Sequence, residues 1–342
     1  MRPAARSLSG RLLSGAAAAL LSAAAIADDS AAGWLIRMGN AARSANYQGV
    51  LVYRDAQMLE TLRLVHGNHN GEERERLVSL SGEPREIIRQ NDQVTCLLPK
   101  QRRLTADSPA LRGLFPQMSE ETVKKLADHY ELRLIGSARV AGRLCRGVQI
   151  QPRDAFRYGY QFWADEKTAV PLKVALMTPD NERVEELVFT NIEFPRKIPD
   201  AAFESDNPKL HRQTLSPAHA ASAAKLPPSR WVLHELPAGF RITMRDLRPL
   251  PNQRGDLEHV LISDGLSSVS VFVANQPPPE RAFQGFSHMG AVHAYGRMIG
   301  EFHVAVVGEV PMDTVRMIGD GLKSTDDTDS SARELLTPPP TP

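Results

Sequence analysis

Only two cysteines, Cys96 and Cys145, occur in 342 residues. That scarcity excludes a disulfide scaffold and a Cys-rich zinc site. Neither charge dominates: 41 Lys and Arg face 40 Asp and Glu, for a net charge of +1. Without a broad basic field the chain has no general means of holding a nucleic-acid backbone. No G-x-S-x-G, Walker A or H-E-x-x-H motif occurs, so a catalytic reading has no anchor. Beyond residue 27 no apolar run reaches the roughly 20 residues that a spanning helix needs.

What is present is an ordinary globular balance, 42% hydrophobic and 24% charged. The length suggests two domains. The first residues read as an address. Arg2, Arg6 and Arg11 precede a small, apolar stretch, and Ala25-Ile26-Ala27 offers small residues before Asp28. This is the pattern of a cleavable secretory signal peptide over residues 1–27. Removing it takes three Arg and no acid, so the mature chain is mildly acidic. Export also places Cys96 and Cys145 where a disulfide can persist. Both lie in apparent strands, and either a bond or two buried thiols fits.

Trp34, Leu35, Met38, Ala41, Ala42 and Ala45 recur at helical spacing. Short β-rich segments then alternate with turns such as His66–Gly71 and Asn91-Asp92, the signature of an antiparallel meander. Ser119 can cap a short helix over 119–128. About ten strands are expected between residues 31 and 194, and a sheet of that size curls. The expected organisation is a large domain over 28–198 and a Pro/Ala-rich connection over 199–230. A smaller domain over 231–322 and a disordered tail over 323–342 complete it. In the smaller domain a hairpin turns at Gly300-Glu301, and Pro311 opens a helix with Met312, Val315, Ile318 and Leu322 on its apolar face. The predicted fold class is mainly β (α+β).

Chemistry is sparse. His66 and His69 flank a Gly-Asn turn without a third ligand, and His288, His293 and His303 lie apart, so no metal or cofactor site is expected. Residues 230–254 are locally basic and could meet an acidic partner or a lipid phosphate, though a solvated strand face is the more usual explanation of such a run. Phe156, Tyr158, Tyr160 and Phe162 alternate along one strand face, which packs a core or lines an acyl-chain cavity. Tyr158, Tyr160 and Phe162 are the lipid-cavity candidates. His293, Tyr295 and Arg297 alternate along a strand of the smaller domain. They are candidates for partner binding, with Arg297 able to fork onto a carboxylate.

Four segments, 46–99, 139–177, 261–274 and 290–322, together resemble the RseB/MucB family of periplasmic sigma-E regulators. Among them are NYQGVLVYRDAQMLETLRLVHGNHNGEE, RLCRGVQIQPRDAFRYGYQFWADEKTAVPLKVALM and GAVHAYGRMIGEFHVAVVGEVPMDTVRMIGDGL. The resemblance implies a large domain like the lipoprotein carriers LolA and LolB, a half-open antiparallel β-barrel wrapped around helices, with a smaller C-terminal α+β domain. It implies a non-enzymatic protein that binds the periplasmic domain of an RseA/MucA-type anti-sigma factor. That binding would shield the factor from site-1 proteolysis and keep the sigma factor inactive until lipid or lipopolysaccharide releases it. The other reading of signal peptide and curled sheet is a periplasmic lipid or lipoprotein carrier. The oligomeric state stays open.

Overall fold

A computed structural model describes residues 29–325 except 70, 92, 100–114, 117, 206, 208–209, 216–226, 228, 250–255 and 275–282. The expected signal peptide and nearly all of the expected tail lie outside the described residues.

Helix α1 (Ala31–Ser44) starts at Ser30, whose hydroxyl accepts the Gly33 amide at 3.0 Å and so satisfies one free N–H of the first turn. Trp34, Leu35, Met38 and Ala42 form its buried face. The large sheet contains β1 (Tyr47–Arg54), β2 (Leu59–His69), β3 (Glu72–Ser79), β4 (Glu86–Gln90) and β5 (Gln93–Leu98) from its first half. Its second half supplies β6 (Tyr130–Val140), β7 (Arg143–Pro152), β8 (Gly159–Asp165), β9 (Pro171–Met177) and β10 (Arg183–Glu193). Strand β11 (His211–Leu215) completes it. The order is β11-β5-β4-β3-β2-β1-β10-β9-β8-β7-β6, antiparallel throughout and open at both edges. The two halves meet along β1 and β10.

Alternation along these strands supplies the core. Val148, Ile150, Phe162, Ala164 and Val174 pack on Leu35 and Met38 of α1 and on Val123 and Leu126 of α2 (Glu120–Leu126). Ser119 caps α2 by accepting the Thr122 amide. A Cβ on Gly39 would lie 2.6 Å from the Met118 carbonyl oxygen, so glycine lets α1 approach that segment.

Part of the stretch expected to be an exposed connection belongs to the large sheet. A 3₁₀ turn (Asp200–Phe203) buries Phe203 against Val65 and Ile198, and Arg74 holds Asp200 at 2.6 Å. Strand β11 then pairs with β5 from His211↔Leu98 to Leu215↔Val94. Proline content suggested a spacer, yet the interval His211–Leu215 contains no proline and is free to join a ladder.

The smaller sheet is formed by β13 (Arg241–Pro249), β14 (Asp256–Ser263), β15 (Ser268–Ala274), β16 (Gly285–Met289), β17 (Val292–Ile299) and β18 (Phe302–Gly308), in the order β13-β14-β15-β18-β17-β16. Helix α3 (Met312–Gly321) covers one face, with Val315 and Ile318 against Val271, Val304 and Val306. A short ribbon, β12 (Trp231–Leu233) with β19 (Leu322–Ser324), ties the two ends of this region together.

Cys96 and Cys145 are both free and fully buried. They sit on β5 and β7, eight places apart in the strand order, so the disulfide alternative is not what the structure contains. Burial pushes the Cys145 thiol up to about 11 and raises that of Cys96, which keeps both as thiols at neutral pH.

Candidate functional sites at and beside the domain junction

The two sheets meet where the β7–β8 loop of one faces the β14–β15 and β16–β17 turns of the other. Arg157 is fully buried there. Its guanidinium donates to Asp264 at 2.7 Å, to Asp154 at 3.1 Å and to the Ala238 carbonyl at 2.5 Å. The same group lies over the rings of Phe240 and Tyr130, 4.8 and 5.5 Å from their centroids. Asp264 also accepts the Tyr130 hydroxyl at 2.8 Å and the amides of Leu266 and Ser267 at 2.9 and 2.7 Å. A buried ion pair gains little unless its remaining donors and acceptors are satisfied, and these are. Burial, with the Asp264 charge adding to it, holds the Tyr130 phenol well above its ordinary range. Beside this network the Thr314 hydroxyl donates to the Phe156 carbonyl at 2.7 Å, fixing the first turn of α3 on the same loop.

The sequence suggests that residues 156–162 alternate as one strand, but β8 begins only at Gly159. Arg157 and Tyr158 precede it and turn to the other domain, while Tyr160 and Phe162 face the core. Phe162 is buried against α1 and stacks on Tyr160, with centroids 5.6 Å apart. Among the described residues the free space beside Phe162, between Leu35, Met38, Phe115 and Pro171, is about 10 Å³. That is room for about one water molecule. Among the described residues the three lipid-cavity candidates have different surroundings: Phe162 packs on α1, Tyr158 on Ala291, and Tyr160 lies between them.

Tyr158 packs with Leu176 and with Ala291 of the smaller domain. Its hydroxyl is 3.4 Å from His293 Nδ1, which lies closer, at 2.8 Å, to the Val310 carbonyl. The carbonyl requires a proton on Nδ1, so His293 donates there and faces the junction. Burial, then the Glu309 and Glu185 charges, push the Tyr158 phenol up to about 12. The structure thus joins Tyr158 and His293, which the sequence reading assigned to different sites.

Tyr295 and Arg297 lie farther along β17 and converge on one carboxylate. Both donate to Asp320 Oδ1 of α3, at 2.9 and 3.1 Å. Phe286 stacks on Tyr295 at 4.7 Å, and Arg316 lies 4.8 Å above the Phe286 ring. Gly319 makes room beneath, since a Cβ there would be 2.5 Å from the Tyr295 ring. Elsewhere in the locally basic stretch, Arg245 is taken up by Glu258 at 2.6 Å and Arg230 by the Phe302 ring. His66 stacks on Tyr47 and contacts the Ala45 carbonyl and Glu73.

The Arg157–Asp264–Tyr130 network was missed by sequence reasoning. Arg157 looked like the polar face of a strand and Asp264-Gly265 like a turn; nothing local links positions 107 residues apart.

Sequence comparison matches residues 30–207 to the MucB/RseB N-terminal domain and residues 225–323 to the MucB/RseB C-terminal domain. The chain belongs to the MucB/RseB family. It is 28% identical over 313 residues to the sigma-E factor regulatory protein RseB of Salmonella typhimurium, covering 90% of this chain and 95% of that one. It is 29% identical over 295 residues to the sigma factor AlgU regulatory protein MucB of Pseudomonas aeruginosa, covering 84% and 89%. Among solved structures, the Pseudomonas aeruginosa MucA/MucB complex contains a chain matched with a TM-score of 0.68 at 25% identity, over 86% of this chain and 98% of that one. As a MucB/RseB member the chain matches in both halves, so the Arg157 network lies between two recognised family domains.

Proposed function

We propose that this chain is a periplasmic regulator that binds the periplasmic domain of an RseA/MucA-type anti-sigma factor. Binding covers the site-1 cleavage segment, so the sigma factor stays sequestered; lipid or lipopolysaccharide reverses this. The observation that carries the reading is the likeness, across both domains, to MucB in a structure of the MucA/MucB complex. The leader pattern at residues 1–27 supports a periplasmic location.

We infer a route for the lipid effect. Among the described residues the free space beside Phe162, between α1 and the sheet, is about 10 Å³, too little for an acyl chain as it stands. An acyl chain entering there must part the helix from the sheet. If the partner favours the closed arrangement, the two ligands weaken each other by the same factor. The test is a titration of the mature chain with the host anti-sigma factor's periplasmic domain, with and without lipopolysaccharide, alongside a site-1 protease assay. Binding that protects the factor and is weakened by lipopolysaccharide is expected. Absence of binding would refute the regulator, and equal affinity with lipid would refute the linkage.

A further inference from the structure

Among the described residues the two main sheets have four edge strands, and three are guarded. Strand β6 carries Glu131, Arg133 and Arg139, and its register breaks between Leu134 and Ser137. Strand β13 carries Arg241, Arg245 and Asp246, with a break between Ile242 and Met244. Strand β11 is five residues long and includes His211 and Arg212. Charges, bulges and shortness are the usual means of keeping an edge from pairing. Strand β16, Gly-Phe-Ser-His-Met, is also short but has neither acid, Lys, Arg, Pro nor bulge. It shows Phe286 at 41% and Met289 at 72% exposure, and among the described residues its outer side pairs with no strand.

The register defines which groups are free. Met289 pairs with Val292 across the Gly290-Ala291 turn. In a two-residue hairpin that flanking pair exchanges hydrogen bonds, and the pattern alternates from there. The Gly285, Ser287 and Met289 backbones therefore bond to β17, while those of Phe286 and His288 point outwards. At the Gly290 end lie two carboxylates of the large domain. A Cβ on Gly290 would be 2.8 Å from Glu185 Oε1 and 3.3 Å from Asp55 Oδ2. Among the described residues neither carboxylate has a Lys or Arg ion pair, and the nearby Arg54 and Lys173 pair with Glu186 instead. Glu185 accepts the Ala291 amide, Asp55 accepts the amides of Gln57 and Met58 through Oδ1, and the Tyr53 hydroxyl donates to Asp55 Oδ2 at 3.3 Å.

We propose, on the regulatory reading above, that the outer edge of β16 accepts an extended segment of the anti-sigma factor's periplasmic domain as an added strand. An outward row of N–H and C=O groups is complementary to another extended backbone. An apolar side chain of that segment lies beside Phe286, and a Lys or Arg lies at the Gly290 end, facing Asp55 and Glu185. The added strand touches both domains at once and stabilises their present arrangement.

The probe is the host anti-sigma factor's periplasmic domain, titrated against the mature chain. Hydrogen exchange at the Phe286 and His288 amides is expected to slow on binding, with β6 and β13 unchanged. His288→Pro removes an outward N–H but no bond to β17, a position where an edge strand tolerates proline. It is expected to weaken binding about tenfold, the effect of losing roughly one to two backbone hydrogen bonds. Glu185→Gln keeps the acceptor for Ala291 and loses the charge, with an expected weakening of about threefold. If the wild type binds but the β16 amides exchange as before, or either variant keeps full affinity, the edge proposal falls and the regulator stands. A dimer formed through β16, seen by sedimentation, also overturns it. If the wild type does not bind at all, both fall.

Discussion

The domain junction is held very differently at its two ends. At the Arg157 end a fully buried ion pair has its polar neighbours satisfied by Tyr130, Ala238, Leu266 and Ser267. At the Gly290 end the Ala291 amide bonds to Glu185, and among the described residues Tyr158 lies 3.4 Å from His293 and Tyr160 3.5 Å from Glu309. A charge without its partner in a buried site is far more costly than the loss of a marginal neutral contact. The expectation is that the Gly290 end yields before the Arg157 end when the junction is strained.

Asp264→Ala is the harshest test of that asymmetry. It strands Arg157 and is expected to cost about 3–5 kcal/mol in chemical denaturation, with a loosened domain arrangement in small-angle scattering. Thr314→Val removes one buried bond to the same loop and should cost about 1–2 kcal/mol in the same assay. Alkaline titration separates the ends by another route. The folded Tyr158 phenol is raised to about 12 from an unfolded value near 10, so its stabilising contribution is whole below pH 10 and is lost as pH rises through 12. Absorbance near 295 nm should show Tyr158 ionising before Tyr130, identified by its absence in Tyr158→Phe. The reverse order would contradict the picture of a tighter Arg157 end. Smallest of all, Tyr158→Phe at neutral pH should change stability by less than about 0.5 kcal/mol, because its contact with His293 is long, at 3.4 Å.

The alternation of the large sheet was legible because each strand needs only its own two-residue period and a turn. Residues 48–54, 93–99 and 143–152 fall on β1, β5 and β7, and Ser119 caps α2 as its hydroxyl suggested. Strand β16 escaped notice: Gly-Phe-Ser-His-Met has weak β propensity and is recruited by β17 rather than by its own preference. Strand β11 was obscured by neighbouring prolines. The junction was illegible for a different reason. Arg157 and Tyr158 leave the strand alternation and meet Asp264 and Ala291, partners that belong to the other domain and lie more than 100 residues away. Tyr295 and Arg297 share a strand face as expected, but their common carboxylate comes from a helix 23 residues farther on.

The seam between β1 and β10 also has a bearing on how the molecule is made. Gln48 sits beside Glu193, a separation of 145 residues, so the strand formed first in the chain waits for one of the last of its domain. Until residue 193 arrives, one side of β1 is an open template. Pairings this distant slow folding and lengthen exposure to aggregation. On the proposed periplasmic location, a chain threaded across a membrane from its N-terminus meets that delay on every copy, and the half-sheet then suits a holding chaperone.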